Sequence, residues 1–345
     1  MASTPPHAPV RAEWLALHTE PILEPELPIV DPHHHLWERP GSCYLAHELY
    51  ADINSGHDIR ATVFVQSRSM LRADGPAALA PLGEVEFANG AAALGASGQY
   101  GRGRICAGIV GAADLALGDA AVPVLEAMVA ACGGRFKGVR NAVVWHADPA
   151  VQSSTATGMR AHMLRGEGFR KGAAALARMG LVLDVWAYHT QLDDVYELAA
   201  ALPQLVVVVD HFGGPLAVGP HAADRQGMLA DWRRGMQRLA TLPNIRVKLG
   251  GGGMPVLGFD FHLHEAPPAS ARLAEAFTPY VEQCIGWFGV ERCMFESNFP
   301  VDKGMFSYPV LWNAFKRIAS GYSAAEKAAL FSRTAATTYG LHLPA

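Results

Sequence analysis

A chain of 345 residues, 50% hydrophobic and 17% charged, has ample apolar content for one large core and is too apolar and glycine-rich to be disordered. With 28 basic against 32 acidic side chains, a net charge of −4 and no basic run, it offers no electrostatic footing for nucleic acid or an anionic membrane. Its five cysteines, Cys43, Cys106, Cys132, Cys284 and Cys293, are scattered and form no C-x-x-C pair, which argues against a disulfide framework or a thiolate metal site and for a reduced, cytoplasmic compartment.

Residues 1–28 are rich in Pro and Glu without a sustained period. They read as an arm without chemistry, lying on the surface or against a partner subunit of a homo-oligomer. The arm has no apolar signal core and no apolar span of about 20 residues follows it, so neither standard export nor a membrane span is expected. Residues 29–345 read as one domain. Strand-length apolar runs follow at 29–33, 61–66, 104–110, 136–144, 181–186, 205–210, 245–249 and 293–296. Between them lie Ala-rich stretches of helical period, such as 120–131, 172–179 and 196–202. Strand alternating with helix implies parallel pairing with right-handed crossovers, and eight such units close into a (β/α)8 TIM barrel. The alternative, an open doubly wound sheet, lacks its phosphate loop here, because the first strand runs into three histidines rather than G-x-G-x-x-G. Two long connections, 145–169 and 250–268, belong over the C-terminal face as lids or substrate loops.

The residues that could carry chemistry cluster at strand ends. In Asp31-Pro-His33-His34-His35-Leu-Trp37, alternation puts His33 and His35 on one side and His34 on the other. That pair can ligate a divalent metal or bind an anionic oxygen; the bland alternative is a polar strand end. Arg140, in Phe-Lys-Gly-Val-Arg, emerges from a strand of small and apolar residues and must meet an anion, either a substrate carboxylate or a structural acid. His189 follows the fifth strand. Asp210-His211-Phe-Gly-Gly-Pro follows a run of four valines, where an imidazole stands at the rim and glycine lets backbone approach a ligand. Lys248 is a cation inside the seventh strand, either lining the barrel or packed structurally. At the last strand Glu296 and Asn298 share a face, and a carboxylate inside a strand needs a partner; Asp302 and Lys303 follow as either site residues or a solvated loop pair. His262 and His264 read as loop residues only.

Taken together these motifs resemble the amidohydrolase superfamily, and within it the amidohydrolase-related group that contains pyrone-dicarboxylate and sugar lactonases. The likeness spans residues 29–341 and rests on D-x-H-x-H-L-W at Asp31 to Trp37, F-V-Q-S at Phe64 to Ser67, K-G-V-R ending at Arg140, D-H-F-G-G-P at Asp210 to Pro215, V-K-L-G at Val247 to Gly250 and S-N-F-P-V-D-K at Ser297 to Lys303. The resemblance implies a TIM barrel with His33, His35, His211 and Arg140 in the active site. It also implies one divalent metal, zinc, on His33, His35 and His189, or a metal-free variant. One departure stands out: the aspartate that such barrels place after the eighth strand is Asn298 here, and a neutral amide neither accepts a proton from water nor ligates as a carboxylate does. The expected reaction is hydrolysis of a lactone or cyclic ester of a small carboxylate-bearing molecule. In it Arg140 holds the carboxylate, His33 and His35 polarise the carbonyl, and His211, Glu296 or Asp302 activates water. Trp37, Gln66, His189 and Lys248 would surround the substrate. The alternatives are a metal-dependent decarboxylase of an aromatic or unsaturated acid, and a barrel that binds a ligand without turning it over.

Overall fold

The computed structural model describes residues 6–151 and 158–342. Each of the eight expected strands forms: β1 (Ile29–His34), β2 (Ile59–Val65), β3 (Arg104–Gly111), β4 (Phe136–Ala142), β5 (Val182–Trp186), β6 (Val207–Val209), β7 (Ile245–Leu249) and β8 (Cys293–Phe295). They pair in parallel, each with the next in chain order. The ring closes where β1 meets the chain just beyond β8. There the Asn298 amide donates to the His33 carbonyl at 2.9 Å, and the His35 amide to the Phe299 carbonyl at 2.7 Å. The architecture is therefore the (β/α)8 barrel and not an open sheet. Among the described residues no helix is long and apolar enough to cross a membrane.

A two-strand hairpin (Trp37–Arg39 with Ser42–Tyr44) and α1 (Ala46–Ile53) link β1 to β2. The later crossovers carry α2 (Leu82–Ala96), α3 (Val122–Ala131), α4 (Glu167–Arg178), α5 (Leu192–Ala201), α6 (Arg225–Ala240) and α7 (Ser270–Phe288), and α8 (Tyr308–Ile318) follows β8. Strand parity sets what faces the barrel axis. Val182, Val208 and Met294 fill the lower interior with Val30, Ala61 and Val63, and Tyr339 from the C-terminal segment packs among them. Their odd-numbered neighbours Leu183, Val185, Val207, Val209, Leu249 and Phe295 join the larger core shared with the helices. Each such buried aliphatic side chain contributes about 1.5–3 kcal/mol of transfer free energy. Two residues further along the interior-facing positions the apolar layer ends, and Asp184, Asp210 and Glu296 appear, with Lys248 from β7, all fully buried.

The arm is not a detached extension. Ala8 is buried against Gly304, the Arg11 guanidinium donates to the His262 carbonyl at 2.5 Å and the Trp14 indole to the His264 carbonyl at 3.1 Å. Further along, Lys316 of α8 donates to the Leu23 and Glu24 carbonyls, both at 2.8 Å. His262 and His264 thus serve by their backbones, anchoring the arm over the strands' C-terminal ends. Of the loop 145–169, residues 152–157 lie outside the described residues, as do 1–5 of the arm.

Candidate active site

The charged interior layer is one connected network. Glu296 is its hub: Oε1 accepts from His211 Nδ1 at 2.7 Å and from the His211 amide at 3.2 Å, while Oε2 lies 2.8 Å from His33 Nδ1. Burial works against this carboxylate's charge, but His211 and His33 outweigh it and draw its pKa down to about 2. Lys248 Nζ donates to Asp184 Oδ2 at 2.6 Å and lies 3.2 Å from Asp210 Oδ1 and 3.1 Å from His33 Nδ1. Burial would strip its proton; Asp184 and Asp210 keep the pKa above the ordinary lysine value. Burial raises Asp184 to about 6, and Tyr339 OH donates to it at 2.8 Å from below.

Local backbone geometry delivers these groups. His211 and Asn298 both hold positive φ, +55° each, so the chain turns sharply out of β6 and β8 and tips their side chains over the barrel mouth. The run Gly250-Gly-Gly-Gly253 after β7 is what lets this packing close. A Cβ on Gly250 would sit 2.4 Å from Glu296 Cγ, and one on Gly251, itself at φ +75°, would sit 2.5 Å from His211 Nδ1.

Above the network opens a cavity of about 110 Å³ whose wall includes His35, Trp37, Gln66, Arg140, Trp186, His211 and Asn298. His211 presents its edge to Trp186, with centroids 4.8 Å apart. Because its Nδ1 proton lies on Glu296, the ring's lone pair is at Nε2. His35 is fixed in the same tautomer by the Val65 carbonyl, 2.7 Å from Nδ1. Burial, then the Arg140 charge, depress its pKa well below the ordinary imidazole value. Asn298 Nδ2 donates to Asp302 Oδ1 at 2.8 Å while its Oδ1 lies 3.3 Å from His35 Nε2, and burial holds Asp302 well above the usual carboxylate range.

Three guanidiniums share the cavity wall: Arg39, Arg68 and Arg140. Arg140 donates to the Gln66 carbonyl at 2.5 Å, its buried Nε has no partner, and among the described residues no carboxylate lies within 4.0 Å of it. Arg39 lies over the Trp37 ring at 4.3 Å and donates to the Ser67 carbonyl. Arg68 is perturbed downward by burial and then by the charge of Arg140. The arm supplies Pro6 and His7 to the same wall, with His7 stacked on Trp37 at 5.7 Å.

Set against the sequence-based expectations, His33, His35, His211, Arg140, Glu296 and Asn298 do gather at one end of the barrel, and His34 turns away to Thr62 Oγ1 at 2.8 Å. Trp37 and Gln66 line the cavity. Glu296, Asp302 and Lys248 lie beneath or behind the wall rather than on it, and Lys303 pairs with Asp52 at 2.7 Å. The expected metal set of His33, His35 and His189 is not what the fold assembles. His189 packs instead against His221, ring centroids 4.8 Å apart, and its Nδ1 accepts the Leu216 amide at 3.3 Å, which puts its proton on Nε2 and leaves no lone pair for a cation. The arm, expected to be free of chemistry, forms part of the cavity. Arg39 and Arg68 were missed, although Arg68 follows Gln66 by two residues and shares its strand parity.

Among the described residues, the ligand atoms that lie close enough to share one cation belong to His33, His211 and Glu296, all within 4.8 Å of one another. Two imidazoles and a carboxylate are a donor set suited to a borderline divalent ion such as zinc, and His33 Nε2 is buried with no hydrogen-bond partner. The residues present fit such a metal.

The chain is similar to known proteins over most of its length. The family model described as Amidohydrolase matches residues 30–341. The uncharacterized protein y4mH of Sinorhizobium fredii is 31% identical over 328 residues, covering 91% of this chain and 99% of that protein. L-fucono-1,5-lactonase of Burkholderia multivorans is 34% identical over 182 residues, 51% of this chain and 57% of its own. Among solved structures, an amidohydrolase from Burkholderia multivorans with bound zinc superposes with a TM-score of 0.67 at 27% identity, covering 91% of this chain and 99% of that one.

Proposed function

The chain belongs to the amidohydrolase family, and from that premise we propose that it is a hydrolase opening a lactone or related cyclic ester that bears a carboxylate. The observation that carries this is a small cavity in which the Glu296-oriented imidazole of His211 faces three guanidiniums without a carboxylate partner for Arg140. Arg140, Arg39 and Arg68 bind the substrate's acid group. His211 Nε2 takes a proton from water as the oxygen attacks the ring carbonyl, and Glu296 steadies the imidazolium that results. Negative charge moves onto the former carbonyl oxygen in a field set by the guanidiniums. The ring C–O bond then breaks, and the departing alkoxide recovers the proton from His211. Lys248 keeps Asp184 and Asp210 from competing for that proton. His33, His211 and Glu296 would hold a divalent cation, which when bound supplies Lewis-acid polarisation of the carbonyl.

The test is a panel of carboxylated five- and six-membered lactones followed by product mass, with metal content measured on the same preparation. A product one water heavier, lost in His211→Asn and with KM raised in Arg140→Ala, is the expected result. Release of carbon dioxide from an acid substrate would replace this proposal with a lyase.

A further inference from the structure

Beyond the Arg140 wall lies a second cavity, of about 400 Å³ against about 110 Å³ for the first. The two share Gln66, Arg68, Arg140 and Ala142, so the guanidiniums stand between chambers rather than at the end of one. Alternation along β4 makes this possible. Arg140 and Ala142 face the barrel mouth, while Asn141 between them faces the second chamber only. Three buried polar atoms on these residues have no partner among the described residues: Gln66 Oε1, Arg140 Nε and Asn141 Nδ2. Gln66 itself is only 4% exposed. Buried polar groups left unpaired are costly, and a set containing both an acceptor and donors calls for a ligand that offers both. A hydroxyl does so; a second carboxylate would satisfy the donors and repel the Gln66 oxygen. Met159 and Ala112 stand with Asp114 and Arg160, a carboxylate and a guanidinium, in the rest of the lining.

We propose that this chamber is a second substrate subsite, so that the lactone carries, beyond the carboxylate held at Arg140 and Arg68, a hydroxylated substituent seated against Gln66 and Asn141. The inference rests on the lactonase reading for the identity of the ring, and its test is by binding so that the two can fail separately. The probes are two lactam carboxylates, inert analogues of the lactone, identical except that one bears a dihydroxypropyl arm. Calorimetry on the full chain should give at least tenfold tighter binding for the armed lactam. Asn141→Leu, which leaves the Gln66 acceptor and removes the amide, should lose most of that gain. Ala112→Phe, which fills the chamber, should lose it while short-lactam affinity stays within twofold of wild type. Equal affinity for the two lactams in wild type overturns the subsite, whatever turnover shows. A tenfold preference that survives both substitutions overturns it as well. A preference erased by them, with neither corresponding lactone hydrolysed, upholds the subsite and overturns the lactonase reading instead.

Discussion

Glu296→Gln isolates the electrostatic part of the proposed proton transfer, because the amide keeps the side chain's shape and one acceptor oxygen while removing its charge. In the native chain His211 Nδ1 donates to the carboxylate at 2.7 Å, and both side chains are almost wholly sealed from water, at 2% and 0% exposure. A charge-assisted hydrogen bond exceeds a neutral one by about 1–2 kcal/mol at the surface, and the low-dielectric interior enlarges the difference. Around 3–4 kcal/mol of imidazolium stabilisation is therefore lost in the transition state, or roughly a hundred- to thousandfold in kcat. The amide can also present its NH2 to His211, which would force the wrong tautomer and push the loss to the upper end of that range. Glu296 does not line the cavity, so KM should stay within a few fold of wild type. The assay is steady-state kinetics on a carboxylated lactone that the wild type opens, with thermal unfolding to verify folding. An unchanged kcat in a folded variant, or an effect confined to KM, refutes the role of the Glu296–His211 pair in moving the proton.

His7→Ala removes the ring stacked on Trp37; a lost aromatic contact of about 0.5–1.5 kcal/mol should raise KM roughly three- to tenfold with kcat and Tm unchanged, and an unaltered KM would mean that the arm never touches the substrate. Gly251→Ala places a methyl 2.5 Å from His211 Nδ1 on backbone at φ +75°, so calorimetry should show Tm lower by several degrees and kinetics a kcat down at least tenfold; a fully active, stable variant would contradict the packing of the glycine run. His189 is held near pKa 4 by burial first and then by His221, against 6.5 for a free imidazole. The folded state then binds fewer protons than the unfolded chain between those values. Its contribution is complete above pH 6.5 and falls away toward pH 4, by roughly 3 kcal/mol. Urea midpoints at pH 7 and 4.5 should converge in His189→Asn relative to wild type, and an identical acid slope in the two proteins would exclude His189 as the source.

How much of this was legible beforehand follows from the range of the interactions involved. Strands buried on both faces announce themselves as short apolar runs, and the valines of β6 or the residues of β7 could hardly be anything else in a chain of this period. Their ends were less visible. The run at 205–210 shrinks to Val207–Val209 because the chain leaves the sheet for the sharp turn at His211, a backbone choice that no periodicity encodes. The helix expected over 172–179 runs from Glu167 to Arg178, and its start is hard to read because Phe169 is the one apolar side chain among Glu167, Gly168, Arg170 and Lys171. Within the site, His33 and His35 needed only strand parity. The partners of Glu296 needed the closed ring, for they lie 263 and 85 residues away in the chain. His189 went astray for the same reason: proximity to a strand end says nothing about which backbone amide its Nδ1 meets. Asp184, Lys248 and Asp210 did carry a signal as complementary charges at interior positions of neighbouring strands, and only Lys248 was taken up as a site residue.

The arithmetic of that interior bears on what the site can accept. Beneath the cavity wall Lys248 provides one positive charge against three carboxylates, Asp184, Asp210 and Glu296, while the guanidiniums Arg39, Arg68 and Arg140 stand in the wall above. Burial depresses His33 and His35 well below the ordinary imidazole pKa, so neither contributes a charge at neutral pH. Negative charge therefore exceeds positive in that layer, and Glu296, drawn down to about 2, is the carboxylate that touches His211. An interior so arranged stabilises added positive charge at that spot. A proton on His211 would draw on it in the proposed hydrolysis; a cation held by His33, His211 and Glu296 would draw on the same excess. The two would therefore compete at Glu296.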